Sequence, residues 1–302
     1  MNSTYVIPYY VAPTFISLFQ KLNNYDYINK KTVYLLGHGL LAKGFLKYID
    51  KNKFHIINIS KNIKNDSLCH VDKYHNEIIN NIDLDKKQIT TNIRKYNFNN
   101  NYVVCGLGIN TKQKEKINKI MNDKDTKKCI TIVGASMFGT ELSFYLSDKG
   151  HYVKLVDKLD INELYNYLSN NSKIKILSLL EKRNVELIYY KNYIDKIDDN
   201  YTILNNKPNE LTEKWKIDKM LQVKNYKNIF AGGDCIDQPH NYNLPYQQGV
   251  YIAKLLNGEI TEKFEYKNNG ISMYCGNNFY LYETPNKIPL IIPSFLINKS
   301  IL

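Results

Sequence analysis

The sequence predicts an α/β protein with parallel sheets, and three observations carry that prediction. A strand, a glycine turn and a helix follow one another from Thr32 to Ala42, and the same grammar returns 97 residues later at Cys129. A further short strand, Asn228 to Ala231, runs into Gly232-Gly233-Asp234 and then another helix. Strand, glycines and helix in fixed order, used twice, are the pattern of a nucleotide-binding βαβ unit repeated within one chain.

In the first unit Thr32–Leu36 is the strand and Gly37-His38-Gly39-Leu40-Leu41-Ala42 the turn into a helix whose apolar face carries Phe45, Leu46 and Ile49. Gly37 lets the chain turn tightly, Gly39 lets the backbone approach a pyrophosphate, and Ala42 stands where a third glycine is usual. A second strand, Phe54–Ile59, ends at Ser60, a position where an acid is usual. The Asn-rich stretch Lys61–Asn101 reads as irregular, with its clear strand at the far end, Tyr102–Cys105, followed by Gly106-Leu107-Gly108.

The second unit reads as strand Cys129–Val133, turn Gly134-Ala135-Ser136-Met137-Phe138-Gly139, a helix opening at Glu141, and strand Tyr152–Val156 ending at Asp157. Ser136 replaces the middle glycine. Asp157 follows Gly134 by 23 residues, close to the spacing of about twenty for an acid that binds a ribose 2′-hydroxyl and favours NADH. Neighbouring Lys158 would instead welcome the 2′-phosphate of NADPH. After the Asn228–Ala231 strand, Asp234 suits either a ligand hydroxyl or a helix cap. A helix carrying Val250, Ile252, Ala253, Leu255 and Leu256 follows, and the tail from Phe264 reads as β-rich.

Composition narrows the class further. At 302 residues, with 43% hydrophobic and 23% charged side chains, the chain suits two globular domains. A mean hydropathy of -0.43 argues against a polytopic membrane protein. The net charge of +12 would suit an anionic partner, but Lys, Asn, Ile and Tyr are abundant from end to end, as a skewed base composition would also produce. No basic run is interleaved with aromatics, so no nucleic-acid partner is expected. Cys69, Cys105, Cys129, Cys235 and Cys275 form no CxxC pair and no metal-like spacing, which argues against zinc and against a redox disulfide. Residues 1–30 read as a leader without the basic start of a secretory signal and without the arginine of a transit peptide.

Taken in order, Gly37-His38-Gly39, Cys105-Gly106-Leu107-Gly108, Gly134 through Glu141, and Phe230-Ala231-Gly232-Gly233-Asp234-Cys235 resemble the flavoproteins of the pyridine nucleotide-disulfide oxidoreductase superfamily. Within it the chain looks most like type II NADH dehydrogenases, which lack the redox disulfide. Ser60-Lys61-Asn62, Tyr246-Gln247-Gln248-Gly249 and the stretch Phe264–Tyr282 extend the likeness. The resemblance implies two Rossmann-like dinucleotide-binding domains and a β-rich C-terminal tail. Residues 31–128 and 225–262 would form a discontinuous FAD domain, 129–224 an inserted NAD(P)H domain, and 263–302 the tail. FAD would be held by Gly37, Gly39, Ala42, Ser60, Cys105, Gly106, Gly108, Gly233, Asp234 and Cys235; NADH, or alternatively NADPH, would sit on Gly134, Ser136, Gly139 and Asp157. Glu141 would stand near nicotinamide and flavin, and Gln247 and Gln248 near the flavin edge where a quinone-like acceptor is reduced. Read without the family, Glu141 is a first-turn carboxylate and the glutamines a polar helix start.

Two departures qualify that picture. Segments Ser60–Tyr102 and Val185–Pro208 look shortened, as though strands shaping the cofactor pockets were missing. The family's membrane anchor is reduced to Ile288–Leu302, where Pro289 and Pro293 oppose a helix. Two rival readings therefore stand beside the flavoenzyme: a degenerate subunit keeping the fold as a structural part of an assembly, and a basic protein of a nucleic-acid or membrane surface. An intracellular setting, mitochondrial or membrane-peripheral, accompanies the resemblance, and a homodimer is left open.

Overall fold

A computed structural model describes residues 30–61, 71–108, 111–122, 127–189, 202–204, 211–212, 215–236 and 244–294. Nearly all of the leader and residues 295–302 of the tail lie outside them.

Two parallel sheets carry the two units. The first has the order β3-β2-β1-β7-β12, where β1 is Lys31–Leu36, β2 Phe54–Ile59, β3 Lys73–His75, β7 Tyr102–Cys105 and β12 Ile229–Ala231. The second has the order β10-β9-β8-β11, with β8 Cys129–Val133, β9 Tyr152–Asp157, β10 Glu186–Tyr189 and β11 Thr202–Leu204. Every pairing in both sheets is parallel. Buried parallel strands need apolar side chains on both faces, which is why β1, β2, β7, β8 and β9 were readable as short apolar runs. In each sheet the central strand, β1 or β8, has later strands on opposite sides. The glycine turn after it therefore lies at the switch point where open α/β sheets take ligands.

Helix α1 (Leu40–Tyr48) follows the first glycine turn, α2 (Thr111–Asn122) follows β7, and α3 (Met137–Asp148) follows the second turn. After these come α4 (Ile161–Leu164), α5 (Asn170–Lys182) and α6 (Leu244–Asn257). Helices α1 and α6 pack so closely that a Cβ on Gly44 would fall on the Tyr246 carbonyl, and one on Gly249 on the Leu41 carbonyl. Only glycine on each helix permits such backbone contact.

The structure corrects the reading of Lys61–Asn101 as irregular. Besides β3, the segment forms an antiparallel sheet of β4 (Ile79–Asp83), β5 (Gln88–Thr91) and β6 (Lys95–Asn97). These strands are three to five residues long and rich in Asn, Lys and Thr, so no alternation is long enough to see. They hold together around buried Ile82, Ile89 and Phe98 and around Glu77. The Glu77 carboxylate accepts from Thr91 Oγ1 at 2.6 Å and Tyr96 Oη at 2.9 Å and pairs with Arg94 at 3.0 Å. Burial would raise the Glu77 carboxyl, but these hydrogen bonds and charges hold it below the ordinary value. The Val185–Pro208 segment contains β10 and β11; residues 190–201 and 205–208 lie outside the described set.

Residues 215–224 pack with the first unit, since Trp215, Ile217, Leu221 and Val223 join its two clusters. The tail is an antiparallel sheet of β13 (Ile271–Tyr274), β14 (Phe279–Glu283) and β15 (Pro289–Pro293), with residues 264–270 irregular. Its Ile271, Met273, Cys275 and Leu281 enter the core of the second unit. Glu283 secures the docking at the N-terminus of α5, accepting from Ser169 N at 2.8 Å, Ser169 Oγ at 2.6 Å and Ser172 Oγ at 2.5 Å. Among the described residues no helix is long and apolar enough to cross a membrane.

Gly249→Ala should lower the unfolding free energy by about 1–3 kcal/mol, because a rigid backbone must move to admit one methyl group. Urea denaturation checks this, and an unchanged midpoint would contradict the helix contact.

Candidate functional site

The first candidate site lies along the C-terminal ends of β1, β2, β7 and β12. Gly37 takes φ +95° and donates its N–H to the Ile59 carbonyl at 2.9 Å. A Cβ there would meet the Gly106 carbonyl oxygen at 2.5 Å. Gly106 in turn donates to Leu36 O at 2.9 Å, so the turn after β1 and the turn after β7 are clamped together. Ala42 is buried in the core under α1, and a side chain on Gly106 would press on Leu41.

Gly39 differs from these packing glycines: nothing lies within 4 Å of where its Cβ would stand. It caps the N-terminus of α1, and no side chain caps it. A helix start with amide donors, a positive dipole end and an uncrowded glycine is the arrangement that receives a phosphate. Across the sheet, Gly108 and Asp234 are neighbours, with the Asp234 carboxylate 3.9 Å from the Cβ position of Gly108. Gly233, at φ +64°, donates its N–H to Gln248 Oε1 at 2.7 Å. Cys105 and Cys235 lie buried beneath these loops with sulfurs 3.5 Å apart. Ser60 ends β2, its N–H donating to His75 O at 3.1 Å and its hydroxyl to Lys61 O at 3.3 Å.

Asn58 escaped sequence reasoning. It is fully buried in β2, and its amide donates to Leu35 O at 2.9 Å and Gly37 O at 2.7 Å. With both amide protons used, its oxygen accepts from His38 Nδ1 at 2.9 Å, which assigns the proton to that ring nitrogen. An amide side chain within the mostly apolar run Phe54–Ile59 was the available signal, because a buried amide must find partners.

The second site repeats the plan with other pins. Gly134 has φ +106° and donates to Val156 O at 2.7 Å. Asp157 is buried, accepting from Ala135 N at 2.7 Å and Leu159 N at 3.1 Å. It thus holds the glycine turn as well as standing at the strand end. Tyr165, fully buried, donates to Ala135 O at 2.9 Å and lies 2.7 Å from Thr140 Oγ1. Ser136 is the N-cap residue of α3, with no capping hydrogen bond from its side chain, and Gly139 is buried within that helix.

Each side chain expected to do chemistry is bonded to backbone. Glu141 accepts from Tyr274 N of β13 at 2.8 Å. Burial raises its carboxyl to about 7, against the smaller opposing effect of that hydrogen bond. Gln247 brackets Lys267, donating to its carbonyl at 2.8 Å and accepting from its N–H at 2.9 Å. Gln248 is fully buried and supports the Gly232–Gly233 turn. From Gln247 a groove of about 910 Å³ runs along α6, lined by Tyr246, Val250, Tyr251, Lys254 and Phe264. No cluster of side chains suited to a metal occurs among the described residues.

No family model matches this sequence, and no curated protein sequence does. Solved structures do match in fold. NDH2 from Plasmodium falciparum in complex with NADH superposes with a TM-score of 0.63 at 13% identity, over 88% of this chain and 92% of that one. A NAD-dependent persulfide reductase from A. fulgidus gives 0.58 at 16% identity, over 84% of this chain and 63% of its own. Water-forming NADH oxidase from Lactobacillus brevis, bound to NADH, gives 0.56 at 15% identity over 84% and 75%. At these identities the likeness is one of fold: two parallel α/β units with an antiparallel β tail.

The raised Glu141 carboxyl gives stability a definite pH dependence. Its folded value of about 7 lies above the ordinary 4.5, so between these values the folded chain binds more protons than the unfolded one. Its contribution is therefore present below about pH 4.5 and lost as pH rises towards 7, a change on the order of 3 kcal/mol. Subtracting Glu141→Gln from wild type in denaturation curves at pH 5, 6, 7 and 8 should expose that slope; parallel curves would refute the assignment.

Proposed function

We propose that the chain is an FAD-dependent NAD(P)H dehydrogenase in which the first unit holds the flavin and the second the nicotinamide nucleotide. The observation that carries this reading is the open glycine cradle at the switch point of the first sheet. Gly39, at the N-terminus of α1, has nothing within 4 Å of its Cβ position, whereas Gly37, Gly44, Gly106 and Gly232 press on neighbouring atoms. Gly37, Gly39, Ala42, Ser60, Gly106, Gly108, Gly233 and Asp234 would hold the flavin nucleotide, with Cys105 and Cys235 beneath the loops. Gly134, Ser136, Gly139 and Asp157 would hold NADH. A bound flavin would supply the capacity to take two electrons from a nicotinamide and pass them to an acceptor.

The chain's own residues supply position. Asn58 fixes the carbonyls of Leu35 and Gly37, so the first turn is set before any ligand arrives. Asp157 and Tyr165 set the second turn in the same way. Preorganisation of this kind lowers the ordering cost of binding. Glu141, on the α3 face that meets the C-terminal sheet, would approach the nicotinamide with its Oε2. The groove from Gln247 along α6 would admit a quinone-like acceptor.

A second reading is favoured by a specific observation. Glu141, Asp157, Gln247 and Gln248 all bond to main chain, as they would in a subunit that keeps the fold for assembly alone.

The visible spectrum separates the two. Purified or FAD-reconstituted protein should be yellow and should bleach with NADH under anaerobic conditions; a colourless chain that takes up no FAD supports the structural subunit. Gly39→Val should abolish flavin retention while shifting the melting temperature by no more than about 2 °C, since the added side chain enters open space. Retention of flavin in that variant would remove Gly39 from the site.

Asp157→Ala should weaken the use of NADH more than that of NADPH, read as the ratio of kcat/KM for the two. Equal losses would leave Asp157 as a loop pin only.

A further inference from the structure

Cys105 and Cys235 are 130 residues apart in sequence and 3.5 Å apart at their sulfurs. Both are fully buried. Cys105 ends β7, and Cys235 closes a short 3-10 turn, Gly233–Cys235, that follows β12. The backbone on either side is fixed by strand pairing, with Ala231 in register with Cys105 and Gly232 N donating to Cys105 O at 3.1 Å. A disulfide has a bond of about 2.05 Å, so the sulfurs must close about 1.5 Å. Side-chain rotation beside a three-residue turn can supply that. No other pairing competes among the described thiols, because Cys129 is exposed and Cys275 belongs to the core of the second unit.

The position of the pair gives such a bond a consequence. The chain leaves the first sheet after β7 and returns to it at β12, so β8 to β11 lie wholly between the two cysteines. Gly106–Gly108 follows one sulfur and Gly232–Asp234 precedes the other, the two loops that meet at Gly108 and Asp234.

We propose that Cys105 and Cys235 form a reversible disulfide, a redox modification site that staples the two passages of chain between the units. Two thiols give up two protons and two electrons to a low-molecular-weight disulfide of the glutathione class. As the Cys105–Cys235 bond forms, the disulfide of the reagent breaks into two thiols. Burial pushes the Cys235 thiol up, so exchange proceeds through brief openings of the loop, and the reduced native protein resists alkylation.

The test uses the full chain. It is incubated with oxidised glutathione, quenched in acid, unfolded, alkylated and digested for mass spectrometry. Free thiols should fall from the five of the sequence to three, with a cross-linked peptide containing Cys105 and Cys235 that dithiothreitol separates. Cys129→Ser should keep the cross-link and Cys235→Ser should lose it. Separate alkylation of Cys105 and Cys235 after oxidation, or glutathione adducts confined to Cys129, would overturn the proposal. The wild-type peptide map alone decides the matter should Cys235→Ser not fold.

Discussion

Contact between the backbones of α1 and α6 is the constraint on which the first site depends. Helix packing at side-chain distance separates axes by 8–10 Å, and Gly44 and Gly249 remove the side chains that would enforce that gap. Helix α1 begins at the glycine turn, while α6 carries Gln248, whose side chain supports the Gly232–Gly233 turn. Bringing the helices together therefore brings those turns together. The clash of a Cβ on Gly37 with the Gly106 carbonyl shows the same economy at the strand ends, where backbone meets backbone directly.

Buried polar side chains then fix what close packing brings near. Asn58 in the first unit, and Asp157 with Tyr165 in the second, each bond to the main chain of their glycine turn. A buried donor or acceptor without a partner is costly, so each pin holds its turn in one conformation. The same physics docks the tail: Glu141 receives the Tyr274 N–H, and Glu283 receives the donors at the start of α5. Carboxylates thus act at the second unit as acceptors for backbone groups.

The elements legible in the sequence were those whose physics is local. Apolar runs such as Thr32–Leu36 and Cys129–Val133 declare buried parallel strands, and glycine followed by helical periodicity declares the turns. Polar strands of three to five residues between Lys73 and Asn97 gave no such signal, because their stability comes from neighbours in the sheet and from the Glu77 network. At the site, the glycines were legible because their backbone role shows in their identity. Asn58 and Tyr165 were not, since their importance lies in which distant carbonyl they reach. Gln247, Gln248 and Asp157 were singled out, yet their bonds to Lys267, Gly233 and Ala135 depend on loop placement that spacing does not encode.

The docking of β13–β15 on the second unit ties together parts of the chain that lie far apart in order. Met273 and Leu281 complete a core whose first strands, β8 and β9, were made more than a hundred residues earlier. During synthesis that core would wait for β13 and β14 to emerge before Ile271, Met273 and Leu281 could join it. The first sheet is also finished late, by β12, although still ahead of the tail that covers the second.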